Sequence, residues 1–242
     1  MAFVQGEKQY HIQLKKGDVG RYVFLPGDPF RTDLIASYLD NAKLIAHNRE
    51  HKTWTGTLDG IPVSVTSTGM GCPSTAIAVE ELIKIGADTF IRIGTAGRVC
   101  ERSKDESLDG AICTAAVRDE GTSRQYIPVE YPAVADWHVV AALVKAAKQN
   151  GKHYIEGITQ SKDSFYGEVD PESAPLEDLL KIRWKAWQRG NVVCSEMESA
   201  VLFVLSSIRG CRAASIMSFK DMKDTIQVGM DAVRLLIKED RK

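Results

Sequence analysis

The sequence predicts an α/β fold with a central mixed β-sheet flanked by helices. Three observations carry this. Short apolar runs rich in β-branched residues recur along the chain. They alternate with longer stretches whose apolar residues fall at helical spacing. One tight hairpin signal near the start adds an antiparallel pair to an otherwise parallel pattern. With 242 residues, 44% of them hydrophobic and 26% charged, the chain is long enough to bury one sizeable core. No internal repeat, low-complexity tract or linker divides it, so residues 1–242 read as one domain.

The elements follow in order. Tyr22–Leu25 is a compact apolar run ending in the turn cluster Pro26–Gly27–Asp28–Pro29, and Phe30–Leu39 follows as a helix with Leu34, Ile35 and Leu39 on one face. Trp54–Leu58 and Ile61–Thr66 flank Asp59–Gly60, the residue pair that closes a two-residue hairpin. Ser74–Ile85 spaces Ile77, Ala78, Glu81, Leu82 and Ile85 as a helix, with Gly86 placed to cap its C-terminus. Thr89–Ile93 reads as a strand running into Gly94–Thr95–Ala96–Gly97. Ala111–Val117, Tyr154–Thr159 and Arg212–Met217 read as further strands. Val139–Gln149, Leu176–Trp187, Met197–Ile208 and Ile226–Glu239 read as helices, and Gly167–Pro175 as a charged, proline-bearing surface loop beside a pocket.

Composition narrows the function classes. The formal net charge is -1 and no run of Lys or Arg forms a stripe, so the footprint of a nucleic-acid or membrane-surface binder is missing. The five cysteines are scattered, with no C-x-x-C pair. That pattern speaks against a zinc site or a disulfide framework and fits a reducing compartment. Met1–Gly20 holds no apolar leader core, and no apolar stretch is long enough to span a bilayer. A cytoplasmic protein acting on small molecules is expected.

Glycine turns between strand and helix gather backbone N–H groups and the positive end of the helix dipole, which suits anions. Gly27–Asp28–Pro29 with Arg31 one turn into the helix is one such unit, although most turns of this kind are only turns. Arg92 in Arg92–Ile93–Gly94–Thr95–Ala96–Gly97 is a second candidate. A charge inside an apolar strand requires an anionic partner, either a buried carboxylate or a ligand. Arg49, in His47–Asn48–Arg49–Glu50, reads by itself as a solvated surface charge. Gly69–Met70–Gly71–Cys72–Pro73–Ser74 departs from a dinucleotide fingerprint at the third glycine and lacks the acidic residue that fingerprint needs. Glu196–Met197–Glu198 opens a helix, where carboxylates complement the dipole and where one could accept hydrogen bonds from a diol. Ser164–Phe165–Tyr166 could set an aromatic face against a planar ligand or fill the core.

Taken together in this order, these segments resemble the hexameric nucleoside phosphorylase family, most closely its uridine phosphorylase branch. The resemblance runs from about Tyr10 to the last helix. It is carried by Pro26–Gly27–Asp28–Pro29 with Arg31, Ser67–Thr68–Gly69–Met70–Gly71 with Pro73–Ser74, and Ile91–Arg92–Ile93–Gly94–Thr95 with Gly97. Tyr131–Pro132–Ala133–Val134–Ala135–Asp136, Asp163–Ser164–Phe165–Tyr166 and Glu196–Met197–Glu198–Ser199–Ala200 complete it. The resemblance implies phosphate-dependent cleavage of a ribonucleoside to free base and ribose 1-phosphate, in a trimer of dimers. Inorganic phosphate would be co-substrate, with no organic cofactor and no metal ligand set. It assigns phosphate to Gly27, Arg31, Arg92 and Thr95, with Arg49 reaching in from a neighbouring subunit. It assigns the ribose to Met197 and Glu198, with His11 donated across the dimer, and the base to Phe165, with Gly97 and Glu168 beside it. Arg92, Glu198 and Asp221 are the catalytic candidates.

Two segments depart from the uridine branch. Glu168 stands where that branch carries a Gln and Ser173 where it carries an Arg, so the donors that read uracil are missing from this loop. Asp221, counted without gaps from Glu198, falls where the purine-cleaving branch has its catalytic aspartate, and Lys223 falls on the uridine-branch Arg. Lys220, Lys223 and Asp224 nevertheless make the Asp221 segment read as a hydrated surface turn. The expected activity is uridine phosphorolysis, with weaker base discrimination than the family norm. The alternatives are a purine nucleoside phosphorylase, a nucleoside- or phosphate-binding homologue without efficient turnover, and a hydrolase, against which the three arginines speak.

Overall fold

In the computed structural model the described residues are 4, 5 and 7–241. Met1–Phe3, Gly6 and Lys242, which the readings of 1–242 and Met1–Gly20 include, lie outside them. The elements that matter here are β1 (Tyr22–Leu25), α1 (Pro29–Ala36), β2 (Asp40–Asn48), β3 (His51–Leu58), β4 (Ile61–Thr66), α2 (Cys72–Lys84), β5 (Thr89–Thr95), β6 (Gly97–Arg98) and β7 (Gly110–Asp119). They continue with α3 (Trp137–Gln149), β8 (Tyr154–Lys162), α4 (Glu177–Arg189), β9 (Cys194–Glu196), α5 (Ser199–Ile208), β10 (Arg212–Ser218) and α6 (Met222–Asp240).

The expected α/β architecture is present, built on one mixed sheet in the order β2-β3-β4-β1-β5-β10-β7-β8-β9-β6, with the short strand Ala133–Val134 added to β7. β4, β1, β5 and β10 run parallel, so their C-terminal ends share one edge of the sheet. β10 meets β7 antiparallel, after which β7, β8 and β9 are parallel again. β6 follows β5 after the single residue Ala96 and pairs antiparallel with β9. The far end of the sheet therefore returns to its middle.

The central strands are apolar on both faces because helices cover both. α2 packs with α5, and α3 packs with α6. Phe24, Phe90, Ile91, Ile93, Ile112 and Phe203 are essentially inaccessible, each contributing about 1.5–3 kcal/mol by leaving water. The β3–β4 hairpin closes as its sequence predicts. Asp59 (φ 50°) and Gly60 (φ 76°) both adopt positive φ, so the turn twists in the same sense as the strands.

Several boundaries differ from the sequence reading, each for a local reason. The first helix stops at Ala36 instead of Leu39, and β2, absent from the sequence reading, follows it. β2 is largely exposed and bulged twice, so it carries no alternating pattern to detect. The helix expected from Met197 begins at Ser199, because Glu198 (φ −138°) still lies outside helical geometry. The last helix begins at Met222 instead of Ile226, because Asp221 caps it and accepts the Lys223 N–H at 2.8 Å. Gly167–Pro175 is not an irregular loop throughout. Tyr166–Val169 and Pro171–Ser173 each form a single helical turn.

Candidate active site

The shared edge of β1, β4 and β5 places three segments side by side. The turn after β1 and the segment after β4 are laced by backbone bonds, Thr68 N–H to Pro26 O at 2.9 Å and Gly69 N–H to Gly27 O at 3.0 Å. The segment after β4 is then tied to the β9–α5 turn. Gly71 N–H donates to Glu198 Oε1 at 2.7 Å, and the Cys72 thiol to the Met197 carbonyl at 3.2 Å.

Arg92 reaches into this junction from β5. Both its strand neighbours are buried, and Arg92 itself is only 5% exposed. Its charge is met by two carboxylates: Nε donates to Glu196 Oε2 at 2.9 Å, and Nη2 to Glu198 Oε2. Its Nη1 is buried with no hydrogen-bond partner among the described residues. A guanidinium N–H in that condition is a donor awaiting an acceptor. Burial opposes the charge of Arg92, but the two carboxylates outweigh it and hold the group protonated. Burial raises the Glu198 carboxyl above its ordinary value, Arg92 pulls it back, and Glu196 adds to the rise.

The two carboxylates are held differently. Glu196 accepts from Ser161 Oγ at 2.5 Å and from the backbone N–H groups of Glu198 and Ser199 at 3.0 and 2.9 Å, so it anchors the start of α5. Glu198 Oε1 carries the Gly71 N–H and keeps acceptor capacity beyond it.

The remaining candidates fall around this cluster. Thr95 ends β5 and is exposed, and Gly97 in β6 pairs with Ser195 of β9. Gly27 lies in the β1–α1 turn, and Arg31, half-buried in the first turn of α1, makes no side-chain hydrogen bond or ion pair among the described residues. Met197 is half-buried between Glu196 and Glu198. Arg49 occupies the β2–β3 turn with φ 54°, exposed and equally without an ion-pair partner among the described residues. His11 lies beside that turn, since Asn48 Nδ2 donates to its carbonyl at 2.6 Å, and its Nδ1 is 2.7 Å from Glu81 Oε1. Asp221, by contrast, is exposed and engaged as the α6 cap, and Lys223 is exposed one residue into that helix.

A second group, which the sequence reading lacked apart from Phe165 and Glu168, adjoins Glu196 through Ser195. Lys162 is only 7% exposed and donates from Nζ to Glu168 Oε2 and to Ser195 Oγ, each at 2.7 Å. Ser195 Oγ lies 2.8 Å from Gln160 Oε1, and Gln160 Nε2 donates to Asp119 at 2.7 Å. Lys162 and Glu168 border a cavity of about 340 Å3 walled by Leu180, Trp184 and Trp187 of α4. The half-exposed Phe165 ring stands 6.0 Å from Lys162 Nζ. The sequence signal for Lys162 was the strand itself: ended at Thr159, it leaves Lys162 in a loop, whereas β8 runs on to Lys162 and carries it inward.

Residues 21–235 match the sequence model of the phosphorylase superfamily. The chain belongs to that superfamily. This phosphorylase is 45% identical to the uridine phosphorylase of Treponema pallidum, across 96% of the present chain and 95% of that protein. It is 50% identical to the uridine phosphorylase of Thermococcus kodakarensis (86% and 75% covered). It is also 41% identical to the guanosine phosphorylase of Halorubrum lacusprofundi (86% and 81% covered). Among the described residues of this phosphorylase, no helix is long and apolar enough to cross a membrane.

Proposed function

We propose that the protein cleaves uridine with inorganic phosphate, giving uracil and ribose 1-phosphate. The observation that carries this reading is the buried, unpartnered Nη1–H of Arg92 beside the Glu198 carboxylate. An anion donor and a diol acceptor are then held on one rigid junction. The Thermococcus and Treponema relatives, both named uridine phosphorylases, support the choice of base.

In this reading phosphate sits against Arg92, Arg31, Thr95 and the Gly27 backbone, while Glu198 accepts from the ribose hydroxyls beside Met197. A phosphate oxygen bonds to the anomeric carbon as the carbon–nitrogen bond breaks, and the bonding pair leaves with the base. Positive charge spreads over the sugar in between, and the phosphate anion beneath it is both nucleophile and electrostatic partner. Fixing the two reactants in line is worth about 7–11 kcal/mol of barrier. Phe165 provides the face on which the base rests.

The assembly belongs to the same proposal: a cytoplasmic hexamer, built as a trimer of dimers, in which Arg49 and His11 serve a neighbour's site. Arg49 is exposed on a hairpin tip and has no ion-pair partner among the described residues. Phe30, Met70 and Leu44 are 82%, 85% and 49% exposed, apolar surface that a partner subunit would cover.

The test is release of uracil from uridine in phosphate-buffered and phosphate-free solution. Cleavage is expected only with phosphate, with ribose 1-phosphate as co-product. Equal rates in both would make the protein a hydrolase.

A further inference from the structure

The sequence lacks, in its base loop, the donors that read uracil, and the structure supplies one from another element. Lys162 comes from the end of β8, not from the loop, and it meets Glu168 at the wall of the 340 Å3 cavity. Its partner Ser195 is bonded in sequence to Glu196 of the Arg92 cluster. We infer that Lys162 and Glu168 form a base-reading pair that selects any nucleobase with a carbonyl next to a ring N–H; the inference rests on the nucleoside reading above.

The valences decide it. An ammonium has three donors and no acceptor, and an ionised carboxylate has acceptors and no donor. Two donors of Lys162 go to Glu168 and Ser195, which leaves one. Glu168 Oε2 takes Lys162, and Ser195 Oγ lies 2.5 Å from that same oxygen. Glu168 Oε1 takes no donor among the described residues and faces Gly97, where an added Cβ would stand 3.7 Å from it. The pair thus keeps one donor and one acceptor beyond its own contacts, with the acceptor turned toward Gly97 of β6.

Neither partner can reverse its role, and the pair cannot easily swing away. Ser195 is braced by Gln160, Gln160 by Asp119, and Asp119 takes Arg183 of α4. Uracil presents the complement, a C4 carbonyl beside N3–H. Hypoxanthine and guanine present the same edge, a C6 carbonyl beside N1–H. Cytosine and adenine present it reversed, an amino donor beside a bare ring nitrogen, so both contacts fail at once. A glutamine in place of Glu168 could turn its amide to suit either edge, and a glutamate cannot. Discrimination is therefore strict between oxo and amino bases and loose between ring sizes.

Two measurements on the full-length protein test this. In calorimetric titrations with nucleosides in phosphate-free solution, where the ribose blocks the glycosylated nitrogen, uridine and inosine should bind, with cytidine and adenosine weaker by about 10^3-fold or more. In phosphorolysis, 3-methyluridine, which lacks N3–H, should be a poor substrate for the wild type. Glu168→Ala should shrink the uridine to 3-methyluridine ratio by lowering kcat/KM for uridine, and the nearly isosteric Glu168→Gln, whose amide can donate to N3, should shrink the uridine to cytidine ratio. Equal binding of uridine and cytidine by the wild type, or both ratios unmoved in the two variants, overturns the pair. A protein that binds uridine over cytidine yet shows no phosphate-dependent cleavage supports the pair and overturns the proposed reaction.

Discussion

Replacing Arg92 with Met would strip the cation that meets two buried carboxylates at this junction. The side chains involved are 6%, 1% and 5% exposed for Arg92, Glu196 and Glu198, so water cannot take over from the guanidinium. Breaking such a pair by removing one partner costs about 3–5 kcal/mol. In a chain of this length each kcal/mol shifts Tm by about 2–4 °C, so the variant should melt about 6–20 °C below the wild type. The deficit should shrink in acid, where a proton on Glu198 replaces the lost cation. Phosphate separates this structural cost from a binding role. A ligand at one hundred times its Kd stabilises the native state by about 2.7 kcal/mol, so wild-type Tm should climb with phosphate and that of Arg92→Met should not. The assay is thermal unfolding across a phosphate titration, with chloride holding ionic strength constant. A variant as stable as the wild type, or one that keeps the phosphate-dependent rise, would refute the reasoning.

Glu198 gives a pH signature. Burial raises its folded value above the ordinary 4.5, so the native state holds this proton more tightly than the unfolded chain. That contribution is fully present below about 4.5 and is lost as pH rises through the raised value. Relative to Glu198→Gln, the wild type should therefore lose unfolding free energy between mildly acidic and neutral pH; denaturant titrations showing a growing wild-type advantage would contradict this. Asp221→Ala should lower unfolding free energy by about 1 kcal/mol through loss of the α6 cap, with kcat/KM for uridine unchanged. A loss of turnover without a loss of stability would return Asp221 to the active site.

What the sequence made legible was whatever depended on local pattern. Arg92 stood out because a charge in an apolar strand demands a partner, and the glycine turns stood out because they interrupt strand and helix alike. The partners themselves were not legible. Glu196 and Glu198 lie more than a hundred residues from Arg92 and meet it only because β6 returns the sheet to its middle. Lys162 was invisible for a different reason: nothing local separates a buried lysine at a strand end from a solvated one in a loop. Strand β2 failed to register because an exposed, twice-bulged edge carries no hydrophobic period.

The return of β6 onto β9 also limits how copies of the protein can join. At that end the sheet offers only a two-residue strand already leashed to β5. The other end, β2, is the long open border, and its irregular register leaves few places for a foreign strand to lie flat. Two molecules meeting there would consume the border of each, so contact along it terminates at a pair and cannot seed a fibre.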